Sequence, residues 1–410
     1  MTYTNKNLLK PKSLKFSKVA SLINLIVHGQ GIFVFDVKDI TQKCVFKIHN
    51  NNESNGLKVI LTPSSVEIIK KPENKPLIDI KSRGLLDKKG VYYWISIDSQ
   101  NRKLYAGIGE ARMENVIYRY YFEITEENKQ FLENLTHITI SKKSAINPIR
   151  LIRDPVTMNV PMRIKDTDEL TMTDIASNNY LPTAYLSPVS RKLYDCIAGK
   201  NFILNTKDFA DFSDAIEYSI KTPGLWCYER LKQKSTEFNP DKPNLLETYL
   251  RITLGQNNGE SPGIPYVMEI WPPHHYSPIH NHGGASAVIR VLHGKINVNL
   301  YPFLCDEKDT INPFGVEIFN KDEITWISPT LNQVHKLENT DDNTTCITIQ
   351  CYMYENEDNA HYDYFDYLDD DGHKQQYEPD SDMDFIAFKE TIKEEWSKVP
   401  ESIKCENLKK

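Results

Sequence analysis

The amino-acid sequence predicts a mainly β protein: an N-terminal antiparallel β-sandwich followed by a C-terminal β-barrel with a few flanking helices. Three observations carry this expectation. Short apolar runs of period two recur from about 15 to 145. A proline-containing stretch then interrupts them, and strand-type runs resume from Leu245 to about Tyr354. At 410 residues the chain exceeds one ordinary core, and domains of roughly 100 to 200 residues imply two or three.

The first region, 15–145, contains the runs Gly31–Asp36, Cys44–Ile48, Leu57–Leu61, Val91–Ile97, Leu104–Ile108 and Tyr118–Phe122. Gly107-Ile108-Gly109 lies inside a strand pattern, so it reads as a bend, not a phosphate cradle. Residues 146–189 carry Pro148, Pro155, Pro161, Pro182 and Pro188, and each proline removes a donor and restricts its predecessor. That stretch is expected to be an extended connector. Helical spacing at Ser190–Ile197 and Asp211–Ile220 places a small helical element before the barrel, which is expected over 190–355. Its strands are Thr248–Leu254, Tyr266–Trp271, Ala287–Leu292, Lys295–Tyr301, Glu323–Ile327 and Thr345–Tyr352. The remainder, 356–410, is an acidic, tyrosine-rich tail, read as solvated or as strands closing the barrel, with an amphipathic helix over Phe385–Trp396.

The charge balance is 49 basic against 56 acidic residues, a net of -7, which provides no global field for nucleic acid or an anionic membrane. Neither partner is expected. The seven cysteines stand at 44, 196, 227, 305, 346, 351 and 405 without CxxC, as free thiols of a reducing compartment do. Residues 1–18 hold no apolar run of signal-peptide length, and Ser21–Val27 is too short to span a bilayer. A cytoplasmic protein is expected.

Five of the eleven histidines fall between 274 and 293. In an extended segment His280 and His282 project to one face with α-carbons roughly 6.6 Å apart, so two imidazoles can grip one cation. A histidine-rich surface loop is the alternative. The strand-like Ser286–Leu292 and Gly294 follow, and His335 comes later, ahead of Asn339. An HxH, a glycine about a dozen residues on and a lone later histidine resemble the cupin arrangement. Many metal cupins also carry a glutamate three or four residues after the second histidine; here those positions are Ala285 and Ser286. Three neutral imidazoles leave a divalent charge uncompensated, which favours an anionic ligand such as a thiolate.

Ser277-Pro-Ile-His280-Asn-His282 and His335-Lys-Leu-Glu-Asn339 resemble the motifs of the cysteine dioxygenase family. The resemblance covers about 190–355 and implies an Fe(II) ion held by His280, His282 and His335, with a small thiol and O2 as reactants. Tyr249-Leu-Arg251 matches that family's Tyr-x-Arg, which implies that Arg251 binds a substrate carboxylate, a pairing suited to a bidentate guanidinium. Tyr352, seventeen residues after His335, falls at the family's active-site tyrosine. Gln350 stands where the animal enzymes carry a histidine, and Ala287 where they carry the cysteine that crosslinks to the tyrosine, so that crosslink cannot form. Cys346 and Cys351 read as small buried hydrophobes, and His274, His275 and His293 as supporting or rim residues. Separately, Tyr92–Asp98 and Leu104–Gly109 loosely resemble the sandwich of farnesoic acid O-methyltransferase-type domains, whose ligand here is unknown.

The expected activity is thus oxidation of a small thiol such as L-cysteine to its sulfinic acid, with Tyr249, Arg251 and Tyr352 around the iron. Two other readings stay open. A three-histidine site also suits zinc and a hydrolytic or isomerising barrel. A carbohydrate- or protein-binding sandwich fused to a non-enzymatic barrel is the other.

Overall fold

A computed structural model describes residues 22–86, 91–141, 146, 149–156, 160–254, 266–282, 285–302, 304, 312–328, 331, 334–353, 365–402 and 404. The chain divides into two compact units. One comprises residues 1–160 with 302–307, and the other 161–301 with 308–410.

The first unit holds β1 (Leu22–Asn24), β2 (Gln30–Phe35), β3 (Cys44–His49), β4 (Gly56–Leu61), β5 (Val66–Lys71), β6 (Lys75–Ile80), β7 (Tyr93–Asp98), β8 (Lys103–Ile108), β9 (Val116–Tyr121), α1 (Glu126–Glu133), β10 (His137–Ile140) and β11 (Arg150–Ile152). Two antiparallel sheets result, ordered β1-β10-β3-β4-β5-β6 and β11-β2-β7-β8-β9. Their inner faces meet through aromatic rings: Phe46 of the first sheet lies 5.3 Å from Phe33 and 4.8 Å from Phe35 of the second. This is a β-sandwich core, built from the alternate inward residues of each run. Gly107 sits where the β8–β9 register shifts, and a Cβ there would fall 2.2 Å from the Trp94 ring. The expected bend is a bulge against a buried indole.

In the second unit β12 (Arg163–Lys165), α2 (Met172–Ser177) and β13 (Tyr180–Pro182) precede the helices α3 (Pro188–Ile197), α4 (Phe212–Lys221) and α5 (Trp226–Gln233). Then come β14 (Leu250–Leu254), β15 (Tyr266–Trp271), β16 (Ile279–His280), β17 (Ser286–His293), β18 (Lys295–Tyr301), β19 (Gly315–Asn320), β20 (Ile324–Ile327), β21 (Val334–Glu338), β22 (Cys346–Met353), β23 (Phe365–Leu368), β24 (Lys374–Tyr377), β25 (Met383–Asp384) and α6 (Phe385–Ser397). One sheet runs β13-β12-β20-β17-β22-β15-β14-β25 and the other β19-β18-β21-β16-β23-β24. Side chains from both sheets, among them Trp271, Val291, Val298, Leu300 and Phe319, form one buried cluster. Gly294 makes the hairpin between β17 and β18 at φ +68°, and a Cβ there would lie 2.8 Å from the Thr345 carbonyl oxygen. Only glycine takes that turn without strain.

The proline-containing stretch is not a free extended strap. Arg150–Ile152 pairs with β2 of the sandwich, and Arg163–Lys165 pairs with both Tyr180–Pro182 and β20 of the barrel. A capping box at Thr171 and Asp174 starts α2 between them. Within the tyrosine-rich tail, His361–Tyr364 lie outside the described residues, while Phe365–Leu368 pairs with β16 and helps close the barrel. Cys305 and Cys405 also lie outside the described residues. Among the described residues no helix is long and apolar enough to cross a membrane.

Candidate metal centre

His280 stands in β16 directly opposite His335 in β21, so an antiparallel register brings together two histidines 55 positions apart in the chain. Ser277 fixes that register. Its amide donates to the Leu337 carbonyl at 2.9 Å, and its hydroxyl oxygen accepts from the Leu337 amide at 3.0 Å. Asn339, fully buried, closes the other end by donating to the carbonyls of Trp271 and Thr344 at 2.8 and 2.9 Å. The serine of the first motif therefore latches the two histidine strands together, and the asparagine of the second ties the end of β21 to the end of β15 and to the chain entering β22.

His282, two positions beyond His280, completes the group. Ring centroids lie 4.9 Å apart for His280–His282, 4.6 Å for His280–His335 and 5.0 Å for His282–His335. One ligand atom from each of the three falls within 4.8 Å of the others. The Nε2 atoms of His282 and His335 are 3.3 Å apart. Two imidazole nitrogens bound to one ion at roughly 2.0–2.1 Å would be separated by about 3.0–3.4 Å. The spacing fits a shared cation.

Protonation points the same way. The His280 Nδ1–H donates to the Pro278 carbonyl at 3.0 Å, which sets the tautomer and leaves Nε2 as a lone pair. Burial pulls the His280 pKa down to about 4, against the Pro278 bond and with help from Arg251. Burial, then the neighbouring His280, His335 and Arg251, hold His282 well below the ordinary range. These imidazoles are neutral at physiological pH, the form in which histidine binds metal. The residues present therefore fit a divalent metal.

Around the triad a cavity is lined by the expected Tyr249, Arg251 and Tyr352 as well as by the three histidines. The Tyr352 ring lies 5.9 Å from that of His282, and its hydroxyl donates to Gln350 Oε1 at 2.5 Å. Ala287 is the cross-strand neighbour of Tyr352, so a methyl group faces the tyrosine where the cysteine dioxygenase pattern has a thiol. Tyr249 stacks on Trp271 at 4.2 Å. Cys351 turns the other way, its thiol donating to the Leu193 carbonyl of α3 at 3.3 Å, and burial pushes its pKa far up. His275 is a support: its Nδ1–H donates to the Thr248 carbonyl at 2.8 Å, one residue before Tyr249. His274 is exposed beside Asp342 at 3.4 Å, and His293 lines a different pocket.

Two residues absent from the sequence-based site belong to it. Phe365 of the tail packs edge-on against His282 at 4.5 Å and lies tilted beside His280 at 6.0 Å. Glu269, buried in β15, is the register partner of Arg251 and accepts from its Nη1 at 2.8 Å. Burial pushes the Glu269 pKa up, and Arg251 opposes that shift. A signal for Glu269 existed, since it is the lone charge in Tyr266–Trp271 and such a residue needs a buried partner.

No protein-family model matches the chain. Among solved structures, an oxalate oxidase in complex with the substrate analogue glycolate aligns at 16% identity and TM-score 0.21, over 26% of this chain and 51% of that one. A cupin 2 domain-containing protein from Halorhodospira halophila aligns at 16% identity and TM-score 0.21, over 38% and 84%. A double-stranded β-helix protein from Klebsiella pneumoniae aligns at 16% identity and TM-score 0.20, over 27% and 79%. The chain thus spans about half the length of the oxalate oxidase. Strand pairing, with the histidines inside two facing sheets, decides the fold class. The second unit is a cupin barrel. Among the described residues its candidate metal centre consists of histidine alone, with Ala285 and Ser286 where many metal cupins have a carboxylate.

Proposed function

We propose that the cupin barrel is an iron-dependent thiol dioxygenase, converting a small thiol to its sulfinic acid with O2. The observation that carries this reading is the all-imidazole triad. Three neutral donors leave the charge of a divalent ion uncompensated, and a substrate thiolate is the ligand best suited to meet it. Iron(II), when bound, would supply the activation of O2 and its transfer to sulfur. The reaction balances without a further reductant. The thiol sulfur loses four electrons, O2 gains four, and both oxygen atoms end on sulfur.

The protein's part is placement and exclusion. His280, His282 and His335 would hold the ion on one side of the cavity. Ile289, Val291, Ile296 and Ile327 wall the cavity and, with Phe365, keep water from the reacting sulfur. Gln350 holds the Tyr352 hydroxyl in place near the triad, where it can donate to a substrate oxygen or sulfur. The described cysteines are free thiols, in keeping with a cytoplasmic setting, and neither nucleic acid nor membrane enters this reading.

The test is anaerobic reconstitution of the full chain with Fe(II), metal analysis, and oxygen-electrode assays on cysteine, cysteamine and 3-mercaptopropionate. One O2 consumed per sulfinate formed, abolished in His282→Ala, is the expected result. No iron-dependent oxygen uptake with any thiol would sink the proposal. Zinc recovered by metal analysis, with no oxygen uptake on any thiol, would point instead to hydrolytic or isomerising chemistry.

A further inference from the structure

The Tyr-x-Arg resemblance implies an arginine available to a substrate carboxylate, but Arg251 meets a carboxylate that the protein itself supplies. Arg251 and Glu269 face each other across β14 and β15, both buried and both lining the cavity that contains the histidines. Their 2.8 Å contact joins Nη1 to Oε1. Neither strand can slide to open it, because β15 is paired on its other side with β22, where Glu269 lies opposite Thr348.

Among the described residues the ion pairs behind Arg251 form a closed cluster. Asp382, whose side chain is 1% exposed, takes Arg230 at 2.8 Å and Lys234 at 3.2 Å, and it also accepts the Arg251 backbone amide at 2.7 Å. Lys234 is shared with Glu237 at 3.2 Å. Three cations, Arg230, Lys234 and Arg251, thus close on three carboxylates, Glu237, Glu269 and Asp382. With the thiolate meeting the charge of the ion, a substrate carboxylate brought to Arg251 would lie beside the buried carboxyl of Glu269, which already takes Nη1. It could enter only if Glu269 swung away or took up a proton.

Resting on the thiol-dioxygenase reading of the same site, we infer that the thiol taken by this barrel carries no carboxylate near its sulfur, because Glu269 fills the position where that group would sit. The favoured class is a small thiol with an amine or a neutral hydroxyl head group. Glu269 acts here as a specificity-determining residue. Like charges juxtaposed in a buried site separate affinities on the order of a hundredfold.

Cysteine and cysteamine differ only by the carboxylate, so they isolate the effect. The full chain, loaded anaerobically with Co(II), is titrated with cysteamine, 2-mercaptoethanol, cysteine and 3-mercaptopropionate, and binding is read from the thiolate-to-cobalt charge-transfer band. Cysteamine and 2-mercaptoethanol are expected to bind on the order of a hundredfold more tightly than the two carboxylates. In Glu269→Gln, whose amide can still accept from Arg251, the gap closes through tighter binding of the carboxylates. Wild-type protein that binds cysteine as tightly as cysteamine overturns this inference and leaves the thiol reading standing. A cobalt-loaded site that gives no band with any thiol removes both. The wild-type order decides the matter even if Glu269→Gln does not fold.

Discussion

Loading the triad with a divalent ion is expected to raise the thermal stability of the barrel by an amount the structure lets one bound. The three ligand nitrogens belong to β16, the residue two positions after it and β21, so an ion ties elements that must separate on unfolding. At a free concentration a hundred times the dissociation constant, a ligand that binds only the folded state adds about 2.7 kcal/mol. For a unit of this size each kcal/mol moves the midpoint by roughly 2–4 °C, giving about 5–10 °C. His282→Ala removes one of three donors. If affinity falls by at least about a hundredfold, the gain at the same concentration drops to about 0.4 kcal/mol, or roughly 1 °C. Differential scanning calorimetry of apo and Co(II)-loaded protein, wild type and variant, measures both shifts. A wild-type midpoint indifferent to Co(II), or a variant that responds as strongly, would refute the reasoning that these imidazoles converge on an ion.

Two further expectations concern the frame around the site. Asp382→Asn should cost about 3 kcal/mol, since it strips the charge from a buried acceptor that holds Lys234, Arg230 and the Arg251 amide; a urea midpoint that falls at unchanged m-value is the expected readout, and an unmoved midpoint would contradict it. Glu247, mostly buried, has its pKa raised by burial and then by Asp370 from 4.5 to about 7, with Lys336 opposing. Its folded-state pKa lies above the unfolded value, so the native state binds the extra proton. The associated stability is fully present below about pH 4.5 and is lost as pH rises through about 7. Glu247→Gln should therefore stabilise the protein at pH 8 by about 1–2 kcal/mol, after allowance for solvent screening, and leave it nearly unchanged at pH 4.5. Equal effects at both pH values would count against the buried carboxyl.

Most of the barrel strands were legible because apolar alternation is strong where one face is buried. Lys295–Tyr301 is an example, matching its predicted bounds. The strands that escaped notice are those whose pattern is weak. Val66–Lys71 and Lys75–Ile80 lie toward the sheet edge and carry lysines, glutamate or aspartate, and Pro76 within the second argues against a strand on local grounds. Gly315–Asn320 is an edge strand with only Phe319 buried. Val334–Glu338 has the look of a motif segment more than of a strand, although its pairing with His280 is what assembles the triad. Phe365 lies in an acidic tail whose composition resembles a solvated segment, and only the pairing of its strand with β16 and its ring contact with His282 show that it covers the histidines.

The two halves of the site differ in how far sequence alone could reach. His280 and His282 are two residues apart, and Ser277 latches their strand to the His335 strand, so the ligand set is a nearly local feature that a motif can report. The head-group position is instead assembled across three adjacent strands: Arg251 in β14 faces Glu269 in β15, which faces Thr348 in β22. A motif preserves Arg251 without saying what stands opposite, and register alone supplies that fact. Gln350 and Ala287 carry the same lesson, for the first accepts the Tyr352 hydroxyl and the second faces the Tyr352 ring from the neighbouring strand. It follows that similarity in the metal ligands carries less information about substrate than the cross-strand neighbours do. In this barrel the neighbour of Arg251 is a carboxyl side chain of the protein itself, and the choice of thiol turns on that pairing.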